Sequence, residues 1–448
     1  MTERRNVVLV VLGSARADHL SCYGYGRATT PFLDEVAQQG LRFHTVISCA
    51  AATLPAHASL LTGFYPVTHG ATEETGMLVG RHRTLPQWLK AAGYRTAAFS
   101  THPDVGPDTG FARGVDEFVT QRRHSRLATR AVSYGRRASD RLLRRQDAGA
   151  RRTNEAFKDW LETVDGAYAA VVRYDDTSLP LGVPPAYAKR FLPADVSTAR
   201  ARELASQAEA YTTGAVEITR ESQTVLTGLY DGALCYVDAR VRELADILRE
   251  RGDWDRTTFV VTADHGDHLG DHGQVGHSFG LSDAVLRIPL LIRSPSQVPQ
   301  GFVVEDLAQN TDVLPTLLHL LGISADRERF QGRVLLERGR ATAGPGFVIA
   351  ERYRADLDAL RQRCPGFDVR PVDVRLKAIR TKRDKFIWHS DEGNELYDLS
   401  ADPDERVNLA DTAVDRADEL RRQLFDWLAA VDKFQADEPV PGSPRRTR

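Results

Sequence analysis

The chain opens on an apolar run with neither a helical nor an alternating period. Asn6 to Leu12, "NVVLVVL", is β-branched and unbroken, the pattern of a strand covered on both faces in a parallel sheet. It falls far short of the roughly 20 apolar residues that cross a bilayer, and no small-residue cleavage pattern follows it, so it reads as a first buried strand. "TTPFLDEVAQQG" then predicts a helix, with Thr30 as its cap, Pro31 in the first turn and Gly40 at the stop. The alternation recurs in "TLPQWLKAAG" and "YRTAAFS", in "RVRELADILRERG" and "TTFVVTAD", and ends in "RIPLLIRSP". Strands alternating with helices predict a doubly wound α/β sheet, whose sites lie beyond the carboxyl ends of its strands. Gly13, Thr53 and Asp264 each follow an apolar segment closely.

After "LPTLLHLLG" (314–322) the pattern changes. From about residue 345, "FVIAERY", "RLKAIRTKRDKFIWHS" and "NELYDLSADPDERVNLAD" read as short strands with turns, and "AVDRADELRRQLFDWLAAV" as a terminal helix. This predicts a catalytic α/β domain over 1–340, a smaller α+β subdomain over 341–436, and a disordered tail over 437–448.

Length and composition narrow the picture. With 448 residues and 42% hydrophobic content the chain can bury more than one core, and a formal net charge of -2 announces no nucleic-acid or membrane partner. Four scattered cysteines, Cys22, Cys49, Cys235 and Cys364, form neither a disulfide framework nor a CxxC zinc pair, which predicts a reducing cytoplasm. One segment breaks the charge balance: residues 122–152 hold eleven arginines and two aspartates. That block is either a solvated helical insertion or a patch for an anionic substrate or surface.

The densest chemistry lies in "TADHGDHLGDHGQVGH", residues 262–277. Asp264 and His265, at the end of an apolar strand, can share a divalent cation, and Gly266 permits a sharp turn. Asp267, His268, Asp271, His272 and His277 follow within a dozen residues, a density that solvation alone seldom explains. Thr53, in "CAAATLPAHASLLTG", is placed as a nucleophile if something activates its hydroxyl.

These segments carry a resemblance. "NVVLVVLGSARADHLSCYGYGRATTPFLDEVAQQGLRF", "TLPAHASLLTGFYPVTHG", "GFARGVDEF", "YDGALCYVD", "TADHGDHLGDHGQVGHSFGLSDAVLRIPLLIR", "TDVLPTLLHLLGI" and "NELYDLSADPDERVNLA" run in the order found in the sulfatase family of the alkaline phosphatase superfamily, which the chain resembles from residue 6 to about 410. The resemblance implies a central mixed sheet flanked by helices, a smaller C-terminal antiparallel sheet plus helix, and hydrolysis or transfer at the ester of an anionic small molecule. It also implies one divalent metal ion, calcium, magnesium, manganese or zinc, held by Asp264, His265 and the Thr53 oxygen.

Carried over residue by residue, Thr53 stands where relatives have the cysteine or serine that matures to formylglycine. Threonine cannot become formylglycine, and Cys49 lacks the proline and arginine at the required offsets, so it reads as a small buried residue. A threonine nucleophile is used by phosphodiesterase members of the superfamily. His57 replaces the arginine of the family's C-x-P-x-R pattern and His277 stands at a lysine or histidine that touches the substrate oxyanion. Gly13 takes the place of a metal-ligating aspartate. In "VVRYDDTSLPLGVPP", Arg173 and Ser178 stand at two histidines, and the Arg173 guanidinium offers donors for a tetrahedral oxyanion. Asp18 reads as a turn or cap residue, His69 as a loop fixer and His102 as a pocket liner. Two readings follow: a metal-assisted hydrolase with Thr53, His57, His277 and Arg173 at the reaction centre, or a divergent relative that has lost its metal and binds or works without it.

Overall fold

The computed structural model describes residues 4–120 and 147–437 except 278, 326–329, 338, 355–356, 358–360, 363, 365, 371–372 and 392. Most of the arginine-rich block, residues 122–146 of it, and the tail from 438 lie outside the described residues.

Eight strands form the main sheet: β1 (Asn6–Leu12), β2 (Leu41–Phe43), β3 (Arg95–Phe99), β4 (Glu117–Val119), β5 (Tyr168–Tyr174), β6 (Thr257–Ala263), β7 (Leu290–Arg293) and β8 (Phe302–Val304). Their order is β8-β2-β7-β6-β1-β5-β3-β4. The central β6-β1-β5-β3 block is parallel, and β7 runs antiparallel to both β6 and β2. The sheet is therefore mixed, as the resemblance implies. Every residue of β1 and β6 is buried, because helices cover both faces, and this explains why neither strand alternates apolar with polar.

Three of those helices are α1 (Pro31–Gln38), α2 (Thr53–Thr62) and α3 (Arg220–Glu250). The start of α1 departs from expectation. Thr30 makes no capping bond to it and instead hydrogen-bonds Ser21. The orphan N–H groups of Phe32 and Leu33 donate to the Asp238 carboxylate on α3, at 3.0 and 2.9 Å, so the cap comes from a distant helix. Gly40 is needed for room: a Cβ there would lie 2.3 Å from the Ile292 carbonyl oxygen on β7.

The C-terminal part forms a second sheet in consecutive antiparallel order: β9 (Phe347–Arg352), β10 (Leu376–Thr381), β11 (Asp384–His389) and β12 (Glu395–Asp398). The terminal helix α4 (Val414–Asp437) buries Leu420 and Leu424 against Ile379, Phe386 and Leu396. The Glu351 N–H donates to Cys49 O at 2.8 Å, which ties β9 to the stretch that delivers Thr53. Among the described residues no helix is long and apolar enough to cross a membrane.

Candidate active site

Three parallel strands deliver the site from their carboxyl ends, the edge where an α/β sheet leaves backbone and side chains unpaired. β1 ends at Gly13, β5 carries Arg173 beside Val11 of β1, and β6 runs into Asp264 and His265. α2 supplies Thr53 as its first residue and His57 one turn later, and every residue of that helix is buried.

Thr53 and His265 meet. The Thr53 Oγ1 lies 3.1 Å from His265 Nε2, and His265 Nδ1 lies 2.9 Å from the Gly266 carbonyl oxygen. A carbonyl can only accept, so Nδ1 carries the proton and Nε2 presents its lone pair to the threonine hydroxyl. Burial pushes the His265 pKa down to about 4 against the pull of Asp264, which keeps the ring neutral at pH 7. Gly266 supports this geometry by close approach, since a Cβ there would stand 2.3 Å from the Ala284 carbonyl oxygen.

Asp264 is wholly buried. Its Oδ1 accepts from the backbone N–H groups of Ser14 and His265 at 3.0 and 2.9 Å. Its Oδ2 accepts from Arg173 Nη1 at 2.5 Å and lies 3.6 Å from His265 Nε2. The carboxyl would be raised by burial, yet the Arg173 guanidinium beside it and the two histidines hold it well below the carboxylate range. Arg173 is clamped from the other side by Asp175, whose Oδ1 accepts from Nε at 2.7 Å and whose Oδ2 accepts from Thr101 at 2.6 Å. Burial opposes the guanidinium charge, but Asp175 and Asp264 outweigh it and raise the pKa.

His57 sits behind this pair. Its Nδ1 is 3.4 Å from Arg173 Nη1 and 3.8 Å from Asp264 Oδ2, its Nε2 has no hydrogen-bond partner, and its ring packs edge-on to Phe111. Burial, then Arg173, drives its pKa to about 3. Its Nδ1 lies where it can accept from the Arg173 guanidinium.

His277 reaches the site from the loop after β6. Its Nδ1 lies 2.6 Å from Asp267 Oδ1 and its ring 4.1 Å from that of His265. Burial works against its charge, but Asp267 raises the pKa above the ordinary histidine value. Asp267 is fully buried and its Oδ2 has no partner.

Other residues singled out in the sequence are held in contacts of their own. Asp271 and Asp18 both pair with Arg16, at 2.7 and 2.8 Å, His268 bonds Ser282 and the Gly276 carbonyl, and His69 ties Ser59 to the Ala71 N–H. Cys49 is buried. Reasoning from sequence singled out Asp267 within the DH-rich stretch without giving it a partner, and missed Asp175 and Ser14; Asp175 left a trace only as the second residue after Arg173.

The expected metal ligands Asp264, His265 and Thr53 do converge, but the residues around them do not fit a divalent ion. The Arg173 guanidinium occupies Oδ2 of Asp264, and a side chain on residue 13 would have to push it aside, because its Cβ would lie 2.8 Å from Ser178 Oγ and 2.9 Å from Arg173 Nη2. One carboxylate, one imidazole and one hydroxyl beside a fixed cation fall short of the six or so oxygens a hard cation takes. Among the described residues the group whose ligand atoms could share a cation is His265, Asp267 and His277, all within 4.8 Å of one another.

Comparison with known proteins gives a consistent result. The sulfatase family profile matches residues 5–323. An uncharacterised sulfatase of Escherichia coli K12 is 25% identical over 466 residues, covering 97% of this chain and 89% of its own. The N-acetylglucosamine-6-O-sulfatase of Bacteroides thetaiotaomicron is 23% identical over 97% of this chain and 88% of its own. In structure, the chain is similar to the phosphonate monoester hydrolase of Agrobacterium radiobacter, with a TM-score of 0.73, 23% identity and 96% of each chain covered.

Proposed function

This chain belongs to the sulfatase family of the alkaline phosphatase superfamily, in which a divalent metal is generally bound, and on that premise we propose that it hydrolyses a sulfate, phosphonate or phosphate ester by attack of the Thr53 hydroxyl. The observation that carries this reading is the 3.1 Å contact between Thr53 Oγ1 and the lone pair of a neutral, buried His265.

In this mechanism the Thr53 oxygen forms a bond to sulfur or phosphorus as the bond to the leaving oxygen breaks. The hydroxyl proton passes to His265 Nε2, and the imidazolium so formed faces Asp264 Oδ2 at 3.6 Å, which stabilises it. The leaving alkoxide takes a proton from His277, kept protonated by Asp267. Water then cleaves the threonyl ester, giving up its proton to the neutral His277, while the Thr53 oxygen recovers its own from His265. Arg173 supplies positive charge beside the transferred group, and no step is routed through a metal. The bound molecule is an anionic small-molecule ester.

The test is turnover of a phosphonate monoester, a phosphodiester and a sulfate ester by wild type, Thr53→Ser and Thr53→Ala. Loss in Thr53→Ala with retention in Thr53→Ser supports the assignment, and equal turnover by all three removes it. The ion pair on Asp264 also favours a second reading, a relative that binds the anion without cleaving it. No turnover of any ester combined with saturable binding of vanadate would select that reading. Four cysteines scattered along the chain, with neither a disulfide framework nor a CxxC pair in the sequence, support a reducing compartment, the cytoplasm.

A further inference from the structure

We propose that the guanidinium of Arg173 is the resident cation of this centre, taking the side of Asp264 that a divalent ion would occupy, and that Gly13 exists to admit it. Three features of the site point the same way.

The first is occupancy. Arg173 Nη1 donates to Asp264 Oδ2 at 2.5 Å, while Oδ1 is used by two backbone N–H groups. A dication on Oδ2 would have to displace a guanidinium that Asp175 holds by its Nε and whose Nη1 also lies 3.4 Å from His57 Nδ1.

The second is the reason for glycine at 13. Its φ is not in the left-handed region, unlike that of nineteen other glycines among the described residues, so the backbone does not demand it. Space does: a Cβ would meet Ser178 Oγ at 2.8 Å, Arg173 Nη2 at 2.9 Å and the Tyr174 carbonyl oxygen at 3.0 Å. A side chain at position 13 and the guanidinium therefore compete for one volume.

The third is charge and donor geometry. One guanidinium bridges two carboxylates, donating to Asp264 at 2.5 Å and to Asp175 at 2.7 Å. A planar fork presents separate donors to separate acceptors, which a lysine ammonium on a flexible stem does not reproduce. Arg173 uses Nε and Nη1 in this way and keeps Nη2 buried without a partner.

The inference concerns the cation and stands apart from Thr53 as nucleophile, so the test reads metal binding directly. Purified wild type, dialysed against chelator, is titrated calorimetrically with Mn2+, Ca2+ and Zn2+ in turn, alongside Arg173→Ala and Gly13→Asp/Arg173→Ala. The expected result is no stoichiometric binding by wild type and a gain of at least a hundredfold in Mn2+ affinity in the double variant. Should the double variant not fold, wild type decides alone: no shift of its melting temperature in Mn2+, Ca2+ or Zn2+ agrees with the proposal. One equivalent of tightly held cation in wild type overturns it, whether that cation is lost on Asp264→Asn or on Asp267→Asn. Absence of esterase activity together with absence of metal binding would sink the Thr53 mechanism and leave this proposal in place.

Discussion

Replacing Arg173 by methionine keeps much of the side-chain volume and removes the charge that faces Asp264. The carboxylate is fully buried, and its two backbone donors reach only Oδ1, so Oδ2 is left as an uncompensated buried charge. Breaking a buried pair in this way costs about 3–5 kcal/mol. At roughly 2.1 cal/mol/K of unfolding entropy per residue, that is a fall of about 3–5 °C in Tm for 448 residues unfolding as one unit. Asp264→Asn alone is also destabilising, because Arg173 then faces Asp175 alone across a neutral amide. In the double variant Arg173→Met/Asp264→Asn neither charge remains, so its destabilisation falls below the sum of the singles by about 2 kcal/mol.

The pH dependence supplies an independent check. In wild type the Asp264 pKa lies well below its ordinary value. Its stabilising contribution is therefore complete above about pH 4 and is lost only as pH falls through the folded value. In Arg173→Met burial dominates and the pKa rises, so the deficit relative to wild type narrows as pH is lowered from 7 toward 5. Calorimetric unfolding of the four proteins at pH 7 and pH 5 measures both effects. Single-variant costs that add within about 0.5 kcal/mol, with a deficit independent of pH, would refute the reasoning.

Four further outcomes are expected. Burial, then Asp147, pushes the Asp176 pKa up to about 8, so wild-type stability declines as pH rises from about 4 to 8 while the unfolded chain has already released its proton; Asp176→Asn should flatten that decline in urea midpoints, and an unchanged slope counts against it. Gly266→Ala forces a Cβ to 2.3 Å from the Ala284 carbonyl oxygen and should cost about 1–3 kcal/mol, which a wild-type Tm would disprove. Asp238→Ala removes the acceptor for two N–H groups of α1 and should cost about 1–2 kcal/mol, whereas Asp238→Asn, which keeps one acceptor, should cost less. In the proposed mechanism His277 donates its proton only while charged, and Asp267 raises its pKa, so activity is expected to fall as pH rises through that value; Asp267→Asn should move the basic limb of the kcat profile to lower pH, and an unmoved limb would take the proton donor role away from His277.

The strands of the central sheet were legible because β-branching and unbroken apolar runs are local properties, as in Asn6–Leu12 and Thr257–Ala263. The Thr53 stretch and the Asp264-His265 pair were legible as chemistry for a related reason, since reactive groups at the ends of apolar runs emerge at the edge of the sheet. Sequence order alone could not say what each group faces. Asp264 meets Arg173 across 91 positions, and Phe32 finds its cap in Asp238 across 206. The arginine-rich block, prominent in composition, lies mostly outside the described residues and entered none of the geometry.

What the sequence determined by itself was the mixed α/β scaffold, the threonine in place of a maturable cysteine, and the absence of an acidic residue at position 13. Only the tertiary structure decided what that absence means. A missing side chain leaves a volume, and the identity of the group that fills it depends on which strand packs alongside; here β5 brings a guanidinium into contact with the buried carboxylate at the end of β6, because charges taken out of water must be matched by whatever the fold places next to them.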